Sequence, residues 1–386
     1  MIDIASLDSL TPDRLRGMGG LKWSDPAETL PAWVAEMDFG CAPPIVQALH
    51  EAVDSLNFGY LPPAVTSSLS ASCATWLRRC FDWEVPAERV RPVADVLAAF
   101  QLTIRHFTAP GSAVVVPTPA YEPFLSLPAE LGRRVIEVPL RPVDGRWLLD
   151  PDDLDRALAE GAGLVVVCDP HNPTGTVYSA EEHLAVAEVV QRHGARVFSD
   201  AIHAPIVYPG HRHVPYASVS EAAAAHTVTA VSAAKGWNLA GLKAAQVIFS
   251  NPADAESWSE FGLHAEVGTS NFGMIASTAA YSAGGQWLES VVDYLDATRH
   301  HIVSRLAAEL PQARVSTPEG TYFAWLDLRG AGLGADAAAV LRDRAQVTVT
   351  DGNLAGDGNA GFVRFNFATP RPIVDVMLDR IVAVLA

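Results

Sequence analysis

Along this chain, short apolar runs rich in β-branched residues alternate with stretches whose apolar positions recur at helical spacing. AVVVP at 113–117, VIEVPL at 135–140, LVVVCD at 164–169, RVFSD at 196–200, TVTAVS at 227–232 and QVIFS at 246–250 predict strands. Several are apolar throughout instead of alternating, the pattern of strands that helices cover on both faces. Between them, EEHLAVAEVVQRHG at 181–194 has helical spacing and a glycine stop. The segment from Trp287 to Leu310 predicts a long helix, after which RVSTPEGTYFAWLDL and FVRFNF predict strands of a separate α+β unit. That last segment is expected to pack beside the first forty or so residues. The layout is α/β, without repeats, low-complexity tracts or long linkers.

At 386 residues, 49% of them hydrophobic, the chain can bury more than one small core, and two domains are expected. The pattern divides it into an N-terminal segment at 1–45 that joins the small domain, a large domain at 46–280 and a small C-terminal domain at 281–386. A formal net charge of −17 gives no support to a nucleic-acid or anionic-membrane surface, so a small-molecule partner is expected. The first residues lack the charged-then-apolar layout of a signal peptide, and no apolar run reaches the length of a membrane span. A cytoplasmic location follows as the expectation. Cys41, Cys73, Cys80 and Cys168 show no CxxC or histidine-paired spacing, so they read as reduced packing residues and no metal site is expected.

One compositional feature changes the picture: only Lys22, Lys235 and Lys243 among the 27 basic residues are lysines. Arginine cannot form an imine, whereas a partly desolvated lysine serves as nucleophile or base. On composition alone codon bias is the slightly better explanation of the ratio, so the neighbourhoods of the lysines must decide. In VSAAKGWNLAGLKAAQ a predicted strand runs into a glycine-containing loop that carries Ser232, Lys235 and Lys243. An amine, a hydroxyl and a second cation are what a phosphorylated aldehyde requires for imine formation and phosphate binding. DPHNPTG at 169–175 and SDAIH at 199–203 follow two other predicted strands, which puts Asn172, Asp200 and His203 at strand carboxyl ends, where open α/β sheets bind ligands. A carboxylate such as Asp200 keeps a pyridine nitrogen protonated, and Asn172 and His203 can hydrogen-bond a phenolic oxygen. Taken singly, a turn cap for Asn172 and a satisfied core histidine for His203 are equally open. Arg364, isolated in the apolar strand FVRFNF, is costly without a partner, which points to an α-carboxylate ligand; a structural ion pair is the alternative.

Taken in order, DPHNPTG, SDAIHAPIVY, SAAKGWNLAGLK and VRFNF resemble the fold-type I pyridoxal 5′-phosphate (PLP) enzymes of aminotransferase class I and II. LKWSDPAETLPAWVAEMDFG, FGYLPP at 58–63, PTPAYEPF at 117–124 and the DxIH pattern look like the bacterial cystathionine β-lyase, or C–S lyase, branch. The resemblance implies the PLP-dependent transferase fold: a large domain with a mainly parallel sheet between helices, and a smaller α+β domain. It implies that Lys235 carries the cofactor as a Schiff base, Asp200 pairs with the pyridine nitrogen, Asn172 and His203 flank the phenolic oxygen, and Tyr121 stacks on the ring. A packing role for Tyr121, which sits between prolines, stays open. By the same resemblance the amides of Val96 and Leu97, with Ser232 and Lys243, form the phosphate cup, and the backbone of Val34 and Ala35 lies near the substrate carboxylate. Tyr60 in similar enzymes comes from the neighbouring subunit, which implies a homodimer with a shared active site. Two positions depart from the pattern. Ala201 stands where glutamate is common, and Asp95 stands where glycine is common, placing a carboxylate near a phosphate unless it turns to cap the following helix, which is the role expected of it.

The reaction expected is β-elimination from cystathionine or another S-substituted L-cysteine, giving a thiol, pyruvate and ammonia, with Lys235 as the base. An aminotransferase is the alternative, and an enzyme of secondary metabolism acting on a bulky S-conjugated cysteine is a further variant. A cofactor-sensing domain of a DNA-binding regulator is not expected at this charge without a basic helix-turn-helix segment. The loop around Tyr60, GTSNFG at 268–273 and DGNLAGDGNAG at 351–361 are expected to line the substrate entrance.

Overall fold

The computed structural model describes residues 4–60 and 62–385; Leu61 of FGYLPP and the first three residues of the N-terminal segment lie outside the described residues. The larger sheet has seven strands in the spatial order Val90–Val93, Ala245–Phe249, Thr227–Val231, Arg196–Asp200, Ala162–Cys168, Ala113–Thr118 and Val135–Pro139. Ala245–Phe249 runs antiparallel to both neighbours, and the pairs from Thr227–Val231 onward are parallel. Every apolar run expected to be a strand is one. Their near-continuous burial has a plain cause. Val115, Val165 and Val197 pack on one side against helices Pro151–Ala159, Ala180–His193 and Glu221–His226, while Val114, Val166 and Phe198 pack on the other against Val96–His106, Pro123–Glu130 and Pro252–Val267. Phe198 is wholly buried with the rings of Phe100 and Phe124 around it, and truncating such a side chain costs about 3–5 kcal/mol.

Helix Ala180–His193 starts on a capping box between Ser179 and Glu182 and stops at Gly194, whose φ of 62° is in the left-handed region. The predicted long helix is Gly285–Glu309. A second sheet holds Leu30–Ala32, Val347–Asp351, Phe362–Asn366, Phe323–Asp327 and Arg314–Val315 in that order. Only the two ends of RVSTPEGTYFAWLDL are extended; its middle crosses as a loop. Leu30–Ala32 pairs parallel with Val347–Asp351, so the N-terminal segment does join the C-terminal unit. That junction is pinned by Lys22, which is buried and donates from Nζ to Asp38 Oδ2 (2.8 Å), Ala368 O (3.1 Å) and Glu36 O (3.3 Å). Among the described residues no helix is long and apolar enough to cross a membrane.

Candidate active site

Three adjacent parallel strands end together. Ala162–Cys168 leads into the turn that presents Asn172, Arg196–Asp200 ends on Asp200, and Thr227–Val231 hands over to Ser232 and the short helix Ala233–Gly236 that carries Lys235. With the N-terminus of helix Val96–His106 these strand ends enclose a cavity of about 170 Å³. Its lining brings together Ala35, Val96, Leu97, Tyr121, Asn172, Asp200, His203, Ser232, Lys235 and Lys243. Arg364 lies next door, in a cavity of about 70 Å³ that shares Tyr121 and Asn172 with the first. Val34 does not line either cavity; its carbonyl accepts a hydrogen bond from Asn366 Nδ2. Tyr60 is 93% exposed and lines neither cavity within this chain.

Lys235 Nζ donates to Ala35 O at 2.9 Å, a carbonyl that also accepts from Tyr322 Oη at 2.9 Å. Burial, reinforced by the charge of Arg364, pushes the Lys235 amine from its ordinary 10.5 down to about 8. Asp200 behaves in the opposite sense: burial raises its carboxyl to about 6, while the Ile202 amide on Oδ1 (3.0 Å) and the Lys235 charge pull it back. Beneath it the Cys168 thiol sits 3.9 Å from Asp200 Oδ2, and burial keeps that thiol protonated. His203 is held neutral, since burial and the Lys235 and Arg364 charges push its pKa well below 6.5; its Nδ1 is buried without a partner among the described residues.

At the far side of the cavity Asp95 caps helix Val96–His106 by accepting from Ala98 N at 2.8 Å. The two preceding amides, those of Val96 and Leu97, have no intrahelical acceptor, and both residues line the cavity. The second oxygen of Asp95 binds Lys243 Nζ at 3.0 Å, which settles the charge conflict seen in the sequence and ties up the cation expected in the cup. Ser232 Oγ is also engaged, donating to Ala244 O at 2.7 Å and accepting from Ala234 N at 3.0 Å.

Arg364 is 8% exposed and forms no ion pair among the described residues. Its three partners are neutral: Nη1 donates to Asn172 Oδ1 (2.9 Å), and Nη2 to Trp33 O (2.9 Å) and Thr350 Oγ1 (3.0 Å). The guanidinium also stands 4.3 Å over the Phe323 ring, and its Nε is buried and unpartnered among the described residues. A buried cation oriented by neutral groups is a costly arrangement that an anionic ligand relieves.

Sequence reasoning missed several supporting groups. Trp33 and Tyr322 act on Arg364 and Ala35 from segments hundreds of residues away, and Thr350 reaches Arg364 from the adjacent strand; nothing local signals any of them. Cys168 was read as packing alone. Behind the Asn172 turn, Asp169 accepts from Tyr178 N (3.0 Å) and meets His213 Nδ1 (2.7 Å) and His183 Nε2 (3.3 Å), all buried; the two imidazoles outweigh burial and hold its carboxyl well below the usual range.

The residues fit pyridoxal phosphate: an amine of lowered pKa, a buried carboxylate at about 6, an unpartnered buried imidazole nitrogen and free helix amides share one cavity. Fold and site together define an amino-acid-handling enzyme of the PLP-dependent transferase fold. The chain belongs to the aminotransferase class I and II family, whose model matches residues 34–381. It is 37% identical to a cystathionine beta-lyase of Corynebacterium glutamicum, over 97% of this chain and 98% of the relative. It is 33% identical to cystathionine beta-lyase PatB of Bacillus subtilis, over 96% and 97%. Among solved structures, cystalysin from Treponema denticola with its pyridoxal 5′-phosphate superposes with a TM-score of 0.90 at 27% identity, covering 96% of each chain.

Proposed function

We propose that this chain is a PLP-dependent C–S β-lyase that releases a thiol, pyruvate and ammonia from cystathionine or another S-substituted L-cysteine. The observation that carries this reading is the pairing of Lys235, whose amine is pushed to about 8, with the uncompensated buried Arg364 across adjoining cavities. An amino acid gripped by its carboxylate at Arg364 presents its Cα toward Lys235. The relatives named above make the elimination of sulfur the chemistry to test first.

When bound, PLP supplies an aldehyde that condenses with amines and a ring that accepts the electron pair left when a Cα proton departs. Lys235 is the amine in this chain that holds the aldehyde, and Nζ, largely neutral above pH 8, is the base that takes the Cα proton. Asp200, ionised above about pH 6, holds a proton on the ring nitrogen. Arg364 binds the α-carboxylate and fixes which Cα bond faces the base. Asn172 and His203 supply hydrogen bonds at the ring oxygen, Tyr121 covers the ring, and the Val96 and Leu97 amides hold the phosphate, joined by Ser232 once its hydroxyl gives up the bond to Ala244 O. Asn172 has a double duty, since its Oδ1 already positions Arg364.

A homodimer completes this proposal. Tyr60 lies on an exposed apolar loop with Leu56 and Phe58, a surface suited to reaching a second copy's cavity. A cytoplasmic location accords with four unpaired cysteines, two of them buried. Light scattering at a mass near twice 41.1 kDa supports the dimer, and a monomeric enzyme of full activity refutes it. The lyase reading is tested by pyruvate release from S-substituted cysteines without any keto acid; amino transfer that needs a keto acid, with no pyruvate released, replaces it with the aminotransferase.

A further inference from the structure

The small cavity beside Arg364 has a chemistry of its own. Trp325 and Thr350 are both register partners of Arg364, so the three side chains form a row on one face of the second sheet. Thr350 is used to hold the guanidinium. Trp325 is not: its indole lies against Phe362 (5.3 Å, 12° between planes), it is 2% exposed, and its Nε1 is buried without a partner. Arg364 Nε is in the same condition, so two residues that line this cavity of about 70 Å³ each carry a buried donor without an acceptor among the described residues. Unpaired buried donors are costly, and a bound ligand is one way the cost is met.

The mouth of that cavity carries the opposite charge. Glu122, next to Tyr121, is exposed, and its carboxylate has no partner among the described residues. Asp351, at the end of the strand that carries Thr350, uses Oδ1 to accept from Asn353 N (3.0 Å) and Asn353 Nδ2 (2.9 Å), leaving Oδ2 unclaimed among the described residues. Leu354 closes the rim. A substrate whose α-carboxylate sits on Arg364 therefore finds buried donors beside its sulfur arm and two carboxylates where that arm reaches solvent.

We propose that this cavity is the leaving-group subsite and that Glu122 and Asp351 select thioethers whose sulfur substituent ends in a protonated amine, with Trp325 Nε1 donating weakly to the thioether sulfur. The inference rests on the C–S lyase reading. A neutral or anionic arm gains nothing from the acidic rim, and an anionic one is repelled. The rim serves only as a charge reader; the bond-breaking machinery lies in the neighbouring cavity.

The test uses the PLP-loaded enzyme and three cysteine conjugates of similar length: S-(2-aminoethyl), S-(2-hydroxyethyl) and S-carboxymethyl. Their thiols differ as leaving groups, so the reading is the change in the kcat/KM ratio on substitution, not the ratio itself. In the Glu122→Gln, Asp351→Asn double variant the aminoethyl-to-hydroxyethyl ratio should fall about tenfold, mostly through KM, as expected for two solvent-facing charge pairs. Asn at 351 keeps the oxygen that Asn353 uses, so the fold is spared. Glu122→Lys should shift preference toward the carboxymethyl conjugate. Pyruvate release with ratios that stay within twofold in both variants overturns the subsite and leaves the lyase standing. No pyruvate from any conjugate with the parent enzyme overturns the lyase reading and the subsite with it.

Discussion

Replacing Lys235 with methionine should make the cofactor-free protein more stable at neutral pH. The side chain is half-buried against the cavity wall, and its amine is pushed from 10.5 to about 8 by burial and by the charge of Arg364. Because the folded-state pKa is the lower one, the unfolded chain binds the proton more tightly. Protonation therefore costs folding stability: the penalty is absent above about pH 10.5, grows as pH falls toward 8, and is fully present below 8. A displacement from 10.5 to about 8 corresponds to a penalty of about 3 kcal/mol. Methionine fills a similar volume without the charge, and Ala35 O keeps its bond from Tyr322 Oη at 2.9 Å. The expected gain in the variant is about 2–3 kcal/mol at pH 7, after allowing about 1 kcal/mol for the lost hydrogen bond. Denaturant unfolding of parent and variant, both freed of cofactor and at equal concentration, should show it at pH 7 and show it shrinking toward pH 10. A variant equal to or less stable than its parent at pH 7 refutes the claim that Lys235 is held against its own charge.

Further outcomes follow from the same geometry. Asp200→Asn should retain PLP but lose at least about a hundredfold in kcat, since a neutral amide cannot hold the ring proton; a loss below threefold contradicts its role. Arg364→Lys should lower kcat/KM for an S-substituted cysteine by about 10²–10³, because an ammonium keeps the charge but not the two-pronged hydrogen bonding; steady-state kinetics with near-normal values would remove the carboxylate assignment. Asp95→Asn keeps an oxygen for Ala98 N while releasing Lys243, so inorganic phosphate should compete with PLP more strongly at an unchanged unfolding midpoint, and weaker competition goes against this account of the cup.

The parts of the fold that announce themselves in the sequence are those decided by local burial. Runs such as LVVVC are apolar on both faces because helices cover both, and that alone locates Asn172 and Asp200 at strand ends. Lys235 stands out because lysine is nearly absent elsewhere. Leu30–Ala32, three residues long, carries too little pattern to register, and Val90–Val93 holds a proline that masks it. The hidden contacts are long-range. Trp33 O reaches Arg364 across 331 positions and Tyr322 reaches Ala35 across 287, and no spacing in the sequence encodes either. The Asp95 cap was readable from its chemistry; its capture of Lys243, 148 positions away, was not. Lys22 gave no local sign that it would be buried against Asp38.

The central claim is that Lys235 and Arg364 belong to one elimination site. The most direct measurement is pyruvate and thiol release from L-cystathionine by the PLP-loaded enzyme, without a keto-acid acceptor, for the parent and for Lys235→Ala. The account predicts sustained, equal release of both products by the parent and none by the variant. Turnover by Lys235→Ala near the parent's rate, or a parent enzyme that forms no pyruvate, contradicts it.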